Sequence, residues 1–297
     1  MAASPGTSPG TTTVGFAGLG NIGRPMASAL LKAGWSLTVL DRDRDRAAAL
    51  AEHGARVADG PQELAGCEVL LLAVPDDDAV ESLLDGPDGW FAAGAGAGGQ
   101  RTAVVHSTVL PRTAARLAEV AAQHGAGLLD APVSGGADRA ERGDLTIMVG
   151  GDADVLERVR PVLDSEGSQV LLVGPAGAGA ATKLANQLMM LSALAGAHEA
   201  LDLAAAHGVA AEAVFEVVAS STGDSWVARN WGFFDRTAAA YDAAGTPRSE
   251  RPWSKDLFEV VAAARAADLR VPVAGLLAQV LADRVEAHAA AAREGER

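Results

Sequence analysis

Four groups of residues have types and spacings that can do chemistry. The first is Gly18-Leu19-Gly20-Asn21-Ile22-Gly23, placed between the β-prone run that begins at Thr12 and a helix-like segment. Gly18 permits a tight turn, Gly20 lets backbone approach a pyrophosphate, and Gly23 lets the next helix pack close to its strand. The N–H groups at the helix start would then face the anion. Asp41 stands 18 residues beyond Gly23, at the end of the next β-prone run. A lone GxGxxG is a weak signal in a glycine-rich chain; the strand before it, the helix after it and this acid together make a dinucleotide site. A carboxylate at Asp41 would accept from the adenosine ribose hydroxyls and repel a 2'-phosphate, which favours NAD. Arg42 beside it would either pair with that phosphate or stack on adenine, so NADP stays open.

The second group is Lys183, Asn186 and Gln187, whose spacing puts all three on one helix face. A lysine beside a nicotinamide can carry the proton that accompanies hydride movement, with the amides orienting substrate. The alternative is a surface lysine at a helix start, against which stand its apolar neighbours Leu184, Leu188 and Met189. The third group, Ser134-Gly135-Gly136, offers a hydroxyl and two consecutive backbone donors to a carboxylate, or is a glycine-rich turn between strands. The fourth is Lys255-Asp256 at a helix start behind Pro252, with Ser254 as its cap, where Asp256 could simply complement the helix dipole. Trp226, Trp231, Phe233 and Phe234 wall a pocket or pack between helices. The six histidines have no ligand-like spacing and no HExxH or cysteine pair is present, so no metal site is expected.

The elements that must hold these groups change in texture along the chain. Up to about residue 176, short β-prone runs alternate with helical segments: Trp35 to Asp41, Glu68 to Val74, Thr102 to Thr108, Ala126 to Asp130, Thr146 to Gly150 and Gln169 to Val173. That is a parallel α/β, Rossmann-like domain over residues 12–176. A single long helix from about Ala180 to His207 then leads into helices at Ala210 to Ser220, Trp226 to Ala240, Ser254 to Ala267 and Val273 to Ala292, an all-α domain over 177–297. Residues 1–11 read as a disordered tail, and Gly94 to Gln100 as flexible low-complexity surface.

A formal charge of -14 on 297 residues argues against nucleic acid and anionic membrane as partners. No uninterrupted apolar run marks a membrane span, and no basic or apolar leader marks a signal peptide, so a cytoplasmic location is expected. The single cysteine, Cys67, reads as buried and inert.

Four blocks together resemble the β-hydroxyacid dehydrogenase family, which includes 3-hydroxyisobutyrate dehydrogenase and tartronate semialdehyde reductase. They are Val14 to Ala27, Asp130 to Gly136, Gly177 to Gln187, and Lys255 to Leu257. The resemblance spans roughly residues 12 to 285. It implies NAD(P)-dependent interconversion of a small β-hydroxy acid and its aldehyde or keto acid, in a cleft between the two domains. It further implies that Lys183 handles the proton, that Asn186 and Gln187 assist, that Ser134, Gly135 and Gly136 hold the carboxylate, and that Trp226 lies by the substrate. The cofactor would run along Gly18 to Gly23, Asp41, Arg42, Val74, Pro75, Ser107, Thr108 and Lys255. Relatives are commonly dimers or tetramers joined through the helical domain. Three departures stand out: His106 replaces an aspartate common in the family, residues 237–252 look like an inserted loop, and the C-terminal segment differs. The imine reductases share the architecture but usually lack the lysine, and a non-catalytic dinucleotide reader would usually bring a basic extension; both are the lesser readings.

Overall fold

The computed structural model of the chain describes residues 7–94 and 101–295. Two compact units divide it, residues 1–183 and 184–297.

The first unit is built on a nine-stranded sheet. Its strands are β1 (Val14–Ala17), β2 (Leu37–Leu40), β3 (Arg56–Val57), β4 (Val69–Leu72), β5 (Thr102–Val105), β6 (Gly127–Asp130), β7 (Val133–Ser134), β8 (Leu145–Gly150) and β9 (Gly167–Gly174). β3-β2-β1-β4-β5-β6 are parallel and in that order, the doubly wound arrangement with a switch point between β1 and β4. Alternation sorts the buried strands onto two cores. Val69, Leu71 and Val104 join one, with Phe16, Met26 and Leu30; Leu70, Leu72, Ala103 and Val105 join the other, with Leu84, Trp90 and Leu117. Each face is covered by helices, as a parallel sheet buried on both sides requires. They are α1 (Gly23–Lys32), α2 (Arg44–Ala51), α3 (Asp77–Asp85), α4 (Trp90–Ala93), α5 (Pro111–Gln123), α6 (Gly136–Glu141) and α7 (Ala153–Leu163).

The sheet is mixed, where the sequence predicts a parallel one. β8 runs antiparallel to both β6 and β7, and β9 runs parallel to β8. The two residues of β7 are too few for a periodicity to mark, and they turn the chain back across the edge of β6.

The second unit is helical: α8 (Ala178–Ala206), which begins in the first unit, then α9 (Ala211–Val218), α10 (Trp226–Arg229), α11 (Phe233–Ala243), α12 (Pro252–Ala266) and α13 (Pro272–Gly295). Leu191, Leu194, Phe234, Trp253, Leu257, Leu281 and Val285 form its main core.

Several expectations are corrected. Gly232, at φ +83°, splits the helix predicted from Trp226 to Ala240 into α10 and α11. Pro252, not a serine cap, opens α12; Ser254 lies inside the first turn. Residues 237–252 are no open loop: α11 occupies their first half, and Arg251 anchors the rest by pairing with Glu286 at 2.9 Å and Asp242 at 2.6 Å. Of the tail expected to be disordered, Thr7 donates from both its amide and its hydroxyl to the Arg158 carbonyl, at 3.2 and 2.9 Å, while residues 1–6 lie outside the described residues, as do 95–100 of the expected low-complexity stretch. Finally, α8 is long and apolar enough to cross a membrane by length and composition, with a mean hydropathy of 1.2 and 17% of that window buried. The scattered Asn186, Gln187 and His198 interrupt its apolar run without lowering the average enough.

Candidate active site

The glycine loop follows β1 directly. Gly18 has φ +92°, and a Cβ there would sit 2.4 Å from the Ala73 carbonyl oxygen; a Cβ on Gly23 would sit 1.9 Å from the Gly18 carbonyl oxygen. Both positions therefore exclude any side chain. Gly20 differs, since the nearest atom to its Cβ position is an Arg46 guanidinium nitrogen 4.0 Å away, so the backbone there is open to a ligand. No side chain caps the N-terminus of α1 and its first turn holds no acid, which leaves that end of the helix available to an anion. Leu19 is buried, and Asn21 and Ile22 are half-buried.

Asp41 follows β2 and accepts from the Leu19 amide at 2.5 Å and the Asp43 amide at 2.8 Å. It thus ties the glycine turn to the end of β2. A carboxylate has about four lone-pair sites, so acceptor capacity is left for a ribose. Arg42 beside it is exposed. At the ends of β4 and β5, the buried Ser107 hydroxyl accepts from the Val74 amide at 2.9 Å, locking the two strand ends together beside exposed Pro75 and half-buried Thr108. These observations fit a dinucleotide: a cradle that Cβ atoms would fill, an uncapped helix end and a carboxylate at the second strand.

The chain reaches Ser134, Gly135 and Gly136 through β7. Gly135 and Gly136 have φ of +145° and +76°, conformations that favour glycine, and the turn leads into α6. Next to it lies Lys183, whose Nζ donates to the Val133 carbonyl at 2.9 Å. Lys183 and the serine-glycine turn thus meet within the first compact unit. What aims the lysine is Asp130. Its fully buried carboxylate accepts from the Gly177 amide at 2.8 Å and the Ala180 amide at 2.7 Å, gripping the start of α8. Burial pushes its carboxyl up, opposed by those amides. The sequence marks Asp130 as a member of a motif but carries no sign of this role.

The remaining predicted residues sit in the helical unit. Asn186 donates to the Gln187 carbonyl oxygen at 3.1 Å, and Gln187 donates to Asp256 at 2.5 Å. Asp256 is therefore held by a side chain, beyond any helix-dipole role. Lys255 pairs with Glu259 at 2.6 Å and Asp256 at 3.4 Å; burial acts against its charge, but the two carboxylates outweigh it and hold the ammonium above the ordinary lysine value. Trp226 is exposed and meets Phe233 edge-on at 5.1 Å. Of the four clustered aromatics only Phe234 is fully in the core. Cys67 is buried, and burial raises its thiol pKa. No cluster of three or more candidate metal ligands occurs among the described residues.

Residues 13–174 match the family described as the NAD binding domain of 6-phosphogluconate dehydrogenase, and residues 177–295 match the NAD-binding domain of NADP-dependent 3-hydroxyisobutyrate dehydrogenase. The chain is 36% identical to a 3-hydroxyisobutyrate dehydrogenase of Pseudomonas aeruginosa, over 94% of each chain. Among solved structures it resembles the Mycobacterium tuberculosis 3-hydroxyisobutyrate dehydrogenase with L-serine, at a TM-score of 0.76 and 29% identity over 94% of this chain and 95% of that one. An imine reductase from Myxococcus stipitatus, 21% identical with a TM-score of 0.65 over 93% of this chain and 94% of its own, shares the fold alone.

Proposed function

The chain belongs to the β-hydroxyacid dehydrogenase family, in its 3-hydroxyisobutyrate dehydrogenase-like branch, and from that premise we propose that it interconverts a small β-hydroxy acid and the corresponding aldehyde or keto acid. The observation that carries the reading is the Lys183 Nζ on the Val133 carbonyl, one residue from Ser134. A proton carrier and a carboxylate cradle then stand side by side. Ser134, Gly135 and Gly136 hold the substrate carboxylate. When bound, the nicotinamide supplies or accepts the hydride at the hydroxyl-bearing carbon. Neutral, Lys183 takes the hydroxyl proton during oxidation; protonated, it returns that proton to the carbonyl oxygen during reduction. Asn186 and Gln187, and Trp226 and Lys255, keep in this reading the assisting roles that the family resemblance implies for them.

Gly18 to Gly23, Asp41, Val74, Pro75, Ser107 and Thr108 line the cofactor in this reading. Asp41 supports NAD, while exposed Arg42 keeps NADP in play. A homodimer or homotetramer through the helical unit belongs to the same reading, supported by the exposed apolar residues of α8 and α13, as does a cytoplasmic location, supported by the acidic composition.

The test is a steady-state screen of small β-hydroxy acids, 3-hydroxyisobutyrate and L-serine among them, with NAD and NADP, alongside the matching reductions and a set of cyclic imines. Turnover confined to the hydroxy acids is expected; turnover of imines alone would overturn the reading. Lys183→Ala should lower kcat by ~100-fold or more while the cofactor Kd moves less than about twofold, the pattern of an interaction made mainly in the transition state.

A further inference from the structure

A fully buried His–Glu pair joins the end of β5 to the start of β9. His106 follows β5 and Glu166 precedes β9; both side chains have 0% exposure, with Nε2 and Oε2 3.3 Å apart. The other imidazole nitrogen, Nδ1, lies 2.7 Å from the Ala131 carbonyl oxygen. That carbonyl can only accept, so Nδ1 carries a proton. Neither Glu166 oxygen nor Nε2 makes an aligned hydrogen bond among the described residues, so each partner depends on the other for compensation of its burial. Burial would push His106 down, but Glu166 outweighs it and holds the imidazole above the ordinary histidine value.

The two anchors straddle one short connection. Ala131 is followed by Pro132, then by Val133, whose carbonyl receives Lys183, and then by the Ser134 turn. On the far side the Glu166 carbonyl accepts from the Leu145 amide at 3.2 Å, at the start of β8, and the next residue of β8, Thr146, pairs with Ser134. We propose that His106 and Glu166 are positioning residues: their pair pins Ala131 and so fixes, through residues 131–136, both the carbonyl that holds Lys183 and the turn that takes the substrate carboxylate. This rests on the reading of Lys183 and Ser134 given above.

Two double variants isolate the tether. An asparagine amide can stand where Nδ1 stands and a glutamine amide where Nε2 stands. H106N/E166Q therefore keeps a donor toward Ala131, H106Q/E166Q loses it, and neither leaves a buried carboxylate unpaired. H106Q/E166Q should show a KM for the hydroxy acid at least fivefold above that of H106N/E166Q, with a lower kcat and cofactor Kd values within twofold of each other. A smaller KM difference, or a cofactor Kd that shifts in parallel, would overturn the proposal. Amide exchange should likewise be at least fivefold faster at Val133 to Gly136 in H106Q/E166Q, with β4 unchanged; uniform acceleration counts against it. Should either variant fail to fold, histidine NMR of the unaltered protein decides: a slowly exchanging Nδ1–H on His106 supports the tether, and a bare Nδ1 sinks it. If the unaltered enzyme turned over no hydroxy acid, the substrate reading would fall while exchange and NMR still reported on the tether.

Discussion

Among the described residues up to 183 the large apolar side chains left exposed are Leu171, Leu172 and Val173, all on β9, whereas those from 184 on expose Met189, Leu203, Val217, Phe258, Leu276 and Val280 among others. The sheet unit closes two cores of its own, one on each face; the helical unit closes one principal core and leaves apolar side chains uncovered. The glycines divide in the same way. Among the described residues every glycine hemmed in at under 3 Å, Gly18, Gly23, Gly150 and Gly179 included, lies in the sheet unit, which also has open ones such as Gly54 and Gly125, while Gly196 and Gly275 of the helical unit have nothing within 4 Å. At Gly18 and Gly23 that close backbone approach sits where ligand binding is proposed, and at Gly196 the slack sits on an exposed helix face.

The largest expected effect tests the crowded side. Gly23→Ala would force a Cβ against the Gly18 carbonyl oxygen at 1.9 Å, which only backbone movement can relieve. Displacing the loop takes the start of α1 with it, so dinucleotide affinity by calorimetry should fall ~100-fold or more, about 2.7 kcal/mol or above. A variant that binds NAD as well as the parent would show that the turn is softer than its contacts imply.

The matching perturbation of the helical unit is Arg251→Ala. It leaves Glu286, 5% exposed, with no full partner for its buried charge beyond Trp253 Nε1 at 3.0 Å and the exposed Arg248 at 3.7 Å. Breaking a buried pair from one side costs about 3–5 kcal/mol, to be read as a lowered urea midpoint in tryptophan fluorescence, since Trp253 is part of the network. Cofactor affinity should fall far less than in Gly23→Ala, which separates the glycine loop from the helical core energetically.

Much of this was legible in the sequence, and the rest was hidden for stateable reasons. Gly18 to Gly23 and Asp41 announce themselves because turn geometry and anion binding restrict residue type at fixed spacing. Short β-prone runs alternating with helical segments mark most sheet-unit elements. The role of Asp130 was not legible, because its partners Gly177 and Ala180 lie about 50 residues away and offer only amides. The His106–Glu166 pair was invisible for the same reason: 60 positions separate two residues whose meeting depends on β8 reversing direction. Nor did the sequence reveal that Arg251 would reach Asp242 and Glu286, which turns an apparent loop into an anchored helix end.

Buried histidines offer a smaller and sharper contrast between the units. His198, 4% exposed, is pushed down to about 4 by burial, then by neighbouring His288 and Arg284. Unfolded, it titrates near 6.5. The unfolded chain therefore binds more protons between these values, so the stability from His198 is fully present above about pH 6.5 and is lost as pH falls toward 4, by up to ~3 kcal/mol. His106 has the opposite sign: its raised value means a contribution complete below about 6.5 and lost as pH rises through the elevated folded value. Urea unfolding from pH 7 to 4.5 should show His198→Asn losing ~2 kcal/mol less than the parent over that range. Equal slopes would mean that the ring is better hydrated than its neighbours Trp231 and His288, at 5.0 and 4.9 Å, suggest.

The smallest effect probes the slack side directly. Gly196 lies in the middle of α8, exposed, with open space where a Cβ would go. A helix-interior glycine costs about 0.5–1 kcal/mol relative to alanine through backbone entropy, so Gly196→Ala should stabilise the helical unit by that amount and raise its urea midpoint. The same substitution asks where a second copy would touch. If α8 packs closely against another subunit at Gly196, the added methyl would oppose that contact, and the variant would lose the rise of stability with protein concentration that an associating parent shows. A gain independent of concentration would move the proposed contact away from this turn of α8, toward the exposed Met189 and Leu203 on either side of it.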